Sequence, residues 1–242
     1  MRRAALLVAA IAALALPAAT SAVSGITVFA AASLTDVFPK IDSGPRYSFA
    51  GSDALALQIR NGAPADVFAS ASPAQPEALY KDGIVLRPRW FATNRLTLIV
   101  PRANPAGIKS VFDLRRSGVK LVIGTTTVPI GSYTRQVLSR LGITSAVMKN
   151  VVSQESDVKG IVSKVALGQA DAGFVYVTDA RAVANDVKKI AIPAWSQPTV
   201  RYEIAVVAGS SHRAAAQAFV NELATKRGRR MLVANGFGVP KK

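Results

Sequence analysis

SFAGSDALALQIRNGAPADVFASA, residues Ser48–Ala71, decides the fold. It opens as a short strand (RYSFA), turns at Gly51-Ser52, and runs with helical spacing to Asn61-Gly62. It then enters a second apolar strand, ADVFAS. A strand, a helix and a strand in that order form a crossover that buries a parallel pair. VFAAASLTDVF, Val28–Phe38, repeats the first half: an apolar strand, a serine, then LTD at a helix start. Further along, RLTLIVP, VKLVIGT, AGFVYV, KKIAIP and RYEIAVVAG read as strands. PAQPEALYKDG, SVFDLRRSG, GSYTRQVLSRLG and SDVKGIVSKVALGQ read as helices, and RAAAQAFVNELATKRGRRMLVANG as a closing helix. Near-continuous apolar strands alternating with helices predict α/β architecture, with parallel sheets covered on both faces and ligands bound beyond the carboxyl ends of the strands.

Two stretches read as crossings between lobes. RLTLIVPRANPAG leaves a strand into a Pro- and Gly-punctuated linker, and PAWSQPTVRYEIAVV returns through another. The expected division is lobe 1 from residues 24–101 plus 196–242 and lobe 2 from 102–195, with hinges near Val100–Pro101 and Arg201–Tyr202.

The chain starts with two arginines, an apolar run from Ala4 to Leu16, Pro17 and small residues, the pattern of a secretory signal peptide over residues 1–22. A membrane anchor is the alternative, but the run is shorter than the roughly 20 residues of a span. Export is therefore expected. With no cysteine the chain has neither a lipid-anchor thiol nor a disulfide, and its core must supply its stability. The net charge of +16 becomes +14 without Arg2 and Arg3, because residues 1–22 hold no acid. Such a surplus suits nucleic acid, an anionic membrane face or a small anion, and export argues against nucleic acid. The one dense run, KRGRR (Lys226–Arg230), reads as a solvated helix face.

A helix start presents unpaired N–H groups and a partial positive charge. Ser33 and Ser52 stand at two such starts; the competing reading is ordinary N-capping by their hydroxyls. TTTVPIGSYTRQVL (Thr125–Leu138) and SQESDVKGIVSKV (Ser153–Val165) supply two more starts, and Tyr176 ends a strand where its phenol either faces the crevice or fills the core. An enzyme is disfavoured. His212 is the single histidine, sits in a loop-like GSSHR and reads as a solvated surface residue. There is no HExxH, no GxSxG, no phosphate-binding glycine loop and no zinc cluster.

Taken together, ITVFAAASLTD, SFAGSDALALQIRNGAPADVFASA, VPIGSYTRQVLSRLG, SDVKGIVSKVALGQADAGFVYVTDA and YEIAVVAG resemble, in order and spacing, the periplasmic molybdate-binding proteins of ABC importers, from about Ile26 to Val239. The resemblance implies a two-lobed periplasmic-binding-protein fold of type II, each lobe a mostly parallel sheet with helices on both faces. It implies a monomeric receptor without cofactor or catalysis that closes on molybdate or tungstate and delivers it to a membrane permease, with no nucleic-acid partner. Carried over by position, the ligand-binding residues are Ser33 and Ser52, the backbone N–H groups of Ile130 and Val158, and Tyr176. All would contact the oxygens of the oxyanion and none the metal itself.

The sequence departs from the family pattern in four places. Ile130 replaces the usual alanine. Asp53 follows Ser52 where a small hydroxyl residue is common. The segment between Phe38 and Tyr47 is short. TT stands where DP usually precedes the third junction. A carboxylate aimed at an oxyanion repels it, so Asp53 is expected to point away and cap its helix. The alternative cargo is another oxyanion such as sulfate or phosphate, the latter if Asp53 turned inward to accept its proton.

Overall fold

The computed structural model describes residues 25–241; the expected signal peptide lies outside them. In chain order the strands are β1 (Thr27–Ala31), β2 (Arg46–Ala50), β3 (Val67–Ser70), β4 (Arg89–Asn94), β5 (Leu96–Pro101), β6 (Leu121–Gly124), β7 (Val151–Glu155), β8 (Ala172–Tyr176), β9 (Val187–Ile190) and β10 (Val200–Val206). The α-helices are α1 (Phe38–Ile41), α2 (Ser52–Arg60), α3 (Ala74–Lys81), α4 (Pro129–Arg140), α5 (Thr144–Met148), α6 (Val158–Ala166), α7 (Val177–Ala182), α8 (Arg213–Glu222) and α9 (Lys226–Ala234). No helix among the described residues is long and apolar enough to cross a membrane.

The strands form two five-stranded sheets, ordered β2-β1-β3-β10-β4 and β7-β6-β8-β5-β9. In the first, β1 runs parallel to β2 and β3, while β10 is antiparallel to β3 and β4. In the second, β6 is parallel to β7 and β8, while β5 is antiparallel to β8 and β9. Each sheet is therefore mixed, with one reversed strand in the fourth position. That strand is supplied in each case by the chain just after it has crossed from the other sheet.

Buried strands explain the apolar runs: β3 and β8 are buried at every position, as expected when helices cover both faces. Helix α6 shows the complementary pattern. It buries Val158, Ile161, Val162 and Val165, an i, i+3, i+4, i+7 stripe that packs on the second sheet. Gly173 in β8 makes this fit close, since a Cβ there would lie 2.5 Å from Ile161 Cγ2. One apolar cluster runs through both lobes, and a second lies under α2 and α3 around Phe29, Leu55, Phe68 and Leu79.

Three expectations need correction. The first crossing falls at Arg95, between β4 and β5, and not at Val100–Pro101; β5 pairs wholly within the second sheet, opposite Val187 to Ile190. Pro101 merely ends that strand, where its missing N–H is tolerated. The second crossing spans residues 191–199, and Arg201–Tyr202 already belongs to β10. Next, SLTDVFPKI is not one helix. It is a 3-10 turn, Ala32–Leu34, followed by the four-residue α1, because Pro39 cannot donate to the preceding turn and Thr35 Oγ1 closes that turn on Ala32 O at 2.7 Å. The closing helix, finally, is broken into α8 and α9, the latter capped by Thr225, whose Oγ1 accepts from Gly228 N–H at 3.0 Å. Lys226, Arg227 and Arg230 of the KRGRR run are exposed, as a solvated face requires.

The two crossings are tied to each other. Gln197 accepts from Leu96 N–H through Oε1 at 3.0 Å and donates to Leu96 O through Nε2 at 2.8 Å. Its side-chain amide thus acts toward Leu96 as a strand neighbour would.

Candidate functional site

Between the lobes lies a small, partly open cavity of about 10 Å³. That is roughly the space of one water-sized group, far below the roughly 300–1,000 Å³ of sites for drug-sized molecules, so with the lobes in this position only a very small solute is accommodated. Ser33 and Ser52 line it from the first lobe; Ile130, Val158 and Tyr176 line it from the second. All five residues picked out from sequence are thus brought to one place. The wall includes no lysine, arginine or histidine among the described residues. His212 lies elsewhere, about half exposed, with Nδ1 3.2 Å from Asp66 Oδ1.

Neither serine caps a helix. Ser52 is the first residue of α2, with Gly51 as the N-cap, and its Oγ accepts from Ala71 N–H at 3.1 Å. A hydroxyl held as an acceptor has its own hydrogen left to donate. Ser33 sits in the 3-10 turn, 2.9 Å from Tyr202 Oη. Its neighbours bear on the direction of this bond. Asn94 Oδ1 accepts from Arg95 N–H at 2.9 Å, so the amide nitrogen is the end that meets Thr178 Oγ1 at 2.9 Å and Tyr202 Oη at 3.4 Å. Either hydroxyl can donate in the Ser33–Tyr202 bond; with Tyr202 as the donor, to which Ser33 is the one acceptor in reach among the described residues, the Ser33 hydroxyl is left to donate into the cavity. Burial pushes the Tyr202 phenol well up, keeping that proton in place.

The second lobe offers a different set. Ile130 and Val158 are the second residue of α4 and the first of α6, positions whose N–H groups have no intrahelical acceptor. A glycine pair brings α4 onto the end of β6: a Cβ on Gly131 would sit 1.9 Å from Thr125 O, and one on Gly124 would sit 2.7 Å from Gly131 N. Asp157, the one charged residue of the wall, turns its carboxylate back onto α6, where Oδ1 accepts from Lys159 N–H at 2.8 Å and Gly160 N–H at 3.1 Å. Tyr176 ends β8. Its ring packs edge-on against Tyr202 at 5.9 Å, and its hydroxyl is buried without a hydrogen-bond partner. Burial, reinforced by Tyr202, Tyr133 and Asp179, drives its pKa well above the ordinary phenol value, so the group is fixed as a donor.

Asp53 behaves otherwise than expected. It makes no capping bond and is not part of the wall; its Oδ2 accepts from Thr127 Oγ1 at 2.5 Å, across the gap between lobes. Sequence reasoning missed Tyr202 and Asn94 as supports of Ser33. The one available signal was the position of Tyr202 at the head of the YEIAVVAG motif.

The arrangement converges neutral donors, two of them backbone amides and three hydroxyls, on a small space. The one carboxylate of the wall, Asp157, commits its Oδ1 to its own helix. The donor set is chemistry for holding a small anion by hydrogen bonds to its charge rather than by a counter-ion.

Comparison with known proteins agrees. The family described as bacterial extracellular solute-binding protein matches residues 44–238. The molybdate-binding protein ModA of Mycobacterium tuberculosis strain H37Rv is 39% identical over 231 residues, covering 91% of this chain and 87% of that protein. Among solved structures, the periplasmic molybdate-binding protein of Azotobacter vinelandii superposes with a TM-score of 0.79 at 23% identity, covering 90% of this chain and 100% of that one. The sulfate-binding protein SubI of M. tuberculosis H37Rv gives 0.75 at 21%, covering 88% and 86%. At those identities the two structural matches speak for the fold alone. The sequence match, spanning both sheets and every residue of the site from Ser52 onward, is what places the chain: it belongs to the bacterial extracellular solute-binding protein family.

Proposed function

We propose that this protein captures molybdate outside the cytoplasm and hands it to the permease of an ABC importer. The single observation that carries the reading is the Tyr176 phenol, fully buried, fixed as a donor and unpartnered at a cavity where two serine hydroxyls and two helix-start amides are also available to donate. A buried donor without a partner costs about 1–3 kcal/mol, and a bound anion would repay it. The ModA relative binds molybdate by name and shares 39% of its residues with this chain. Tungstate has the same shape and charge and is expected to bind as well. Ser33, Ser52, Ile130, Val158 and Tyr176 are proposed as the five contacts to the oxyanion oxygens.

Capture begins with the open crevice, toward which the +14 formal charge left after loss of Arg2 and Arg3 draws anions. The anion meets the Ser33 and Ser52 hydroxyls first, and closure about the Arg95 and 191–199 crossings adds Ile130, Val158 and Tyr176. The protein acts as a monomeric receptor and not as an enzyme, since the wall supplies no nucleophile held by a base. Phosphate, which carries a proton at neutral pH, is the competing cargo: Asp53 Oδ2 is engaged with Thr127, but its Oδ1 is buried without a partner and could accept that proton.

Titration calorimetry of the protein against molybdate, tungstate, sulfate, phosphate and chromate tests the reading. Molybdate and tungstate should bind tightest. Sulfate or phosphate binding more tightly than molybdate would overturn the assignment of cargo.

A further inference from the structure

A further cross-lobe contact lies beside the cavity without touching it. Lys159, the second residue of α6, points its ammonium at two carboxylates: Asp36 Oδ2 of the first lobe at 2.7 Å and Asp179 Oδ1 of its own lobe at 3.3 Å. The Asp179 side chain is 0% exposed, the Asp36 side chain 47%. Asp36 follows the turn that holds Ser33 by three residues, and Lys159 follows Val158 directly. Joining Asp36 to Lys159 therefore brings a hydroxyl donor of one lobe and an amide donor of the other into range of one solute.

The two carboxylates play different parts. Asp179 and Lys159 are on α7 and α6, which pack together in the same lobe, so their pairing survives opening. Asp36 is on the far side of the cleft and its pairing does not. Burial pushes the Asp179 carboxyl up to about 6, with Lys159 opposing that rise; Asp36 and Asp179 together hold the lysine ammonium above its ordinary value despite its own burial. The lysine stays charged and stays aimed.

We propose that Lys159, held in position by Asp179, is a closure latch whose ion pair with Asp36 forms only when the lobes shut and sets how long the anion is retained. Lys159, Asp179 and Asp36 are positioning residues, since none touches the solute. The proposal rests on the reading of the site as an anion receptor.

The decisive variant is Asp36→Asn, because two effects pull its outcome in opposite directions. Deleting a negative charge beside an anion site would, by electrostatics alone, slow release. Losing the latch would speed it. Displacement of bound molybdate, followed by rapid mixing and intrinsic fluorescence, should show release about threefold faster in Asp36→Asn, the size expected of a half-exposed ion pair. Asp36→Glu should restore retention to within about twofold of the wild type. In a Lys159→Met background the same Asp36→Asn change should no longer speed release. Asp36 is half exposed, and a thermal melt confirms that each variant folds. Equal release in wild type and Asp36→Asn, or the same acceleration with and without Lys159, overturns the latch alone. Failure of the wild type to bind molybdate overturns the functional reading and the latch with it.

Discussion

The first lobe lines the cavity with side chains that already have protein partners, and the second with groups that do not. Ser33 and Ser52 each have a protein partner, Tyr202 Oη and Ala71 N–H, which steadies the hydroxyl; with Tyr202 as the donor, neither bond consumes the serine hydrogen. Ile130 and Val158 offer helix-start amides, and Tyr176 a buried phenol with no partner. Two buried aspartates away from the wall differ in the same sense, although Glu203 of the first lobe is also raised by burial. Asp66, in the first lobe, pays for burial but receives Ser210 Oγ at 2.6 Å, Thr27 N–H at 2.7 Å and His212, which together hold it below the ordinary range. Asp179, in the second, is pushed up to about 6 by burial, which Lys159 and the Tyr176 backbone oppose only in part.

The sharpest way to break this contrast is Tyr176→Phe. It removes an anion donor and, in the empty protein, an unsatisfied hydroxyl. Affinity for molybdate should fall roughly 10- to 150-fold, the equivalent of a charge-assisted bond of about 1.5–3 kcal/mol, while the melting temperature of the anion-free protein rises. Ser52→Ala should weaken binding by about 10-fold and, in contrast, lower the melting temperature, because Ala71 N–H loses its acceptor. Calorimetry and thermal melts on the pair decide the matter: shifts of the same sign in stability would erase the distinction between lobes. Tyr202→Phe should cost about fivefold in affinity, a net hydrogen bond of about 1 kcal/mol, since Ser33 loses the partner that orients it. Unchanged affinity would mean that Ser33 orients itself.

The smallest effect concerns pH. An unfolded aspartate titrates near 3.9, so between that value and about 6 the native state binds the proton that the unfolded state has released. Asp179 therefore adds stability as pH falls from 7 to 5, by about 1 kcal/mol, and that contribution is lost as pH rises through 6. Asp66, Asp113 and Glu155, held low, behave oppositely: their stabilisation is present above the unfolded carboxylate range and disappears as pH drops through their folded values. Denaturant melts at pH 5 and 7 should show the Asp179-dependent gain in the wild type and its absence in Asp179→Asn. A gain equal in both proteins would assign it to another group.

Much of this was legible in the chain. Alternating apolar strands and helices gave the layered sheets, and the Gly-Ser and Pro-Ile-Gly junctions pointed to residues that do line one cavity. Two of the four edge strands were not legible, whereas RYSFA and KKIAIP at the other two edges were. β4 (RWFATN) carries Arg, Trp, Thr and Asn, and β7 (VVSQE) alternates between half-buried and exposed positions, so neither has the apolar run of an interior strand. The crossing at Arg95 was hidden because a single charged residue inside a continuous extended run leaves no compositional mark, whereas Pro101 leaves a loud one. The contacts between lobes were out of reach altogether: Asp36 and Lys159 are 123 positions apart, Asp53 and Thr127 are 74. No local rule links residues at that distance, and Asp53 was assigned to the only neighbour visible in sequence, its own helix.

The reversed strand in each sheet bears on how the molecule is made. Every strand of the second sheet comes from one unbroken stretch, residues 96–190, whereas the first sheet lacks its fourth member until β10, at residues 200–206, has been delivered. During synthesis or export the middle of the chain can therefore assemble a complete sheet while β1, β2 and β3 wait with β3 unpaired along one edge. An exposed edge of apolar strand is an invitation to wrong pairing, and the late arrival of β10 closes it. The half of the protein that begins first is the half that must finish last.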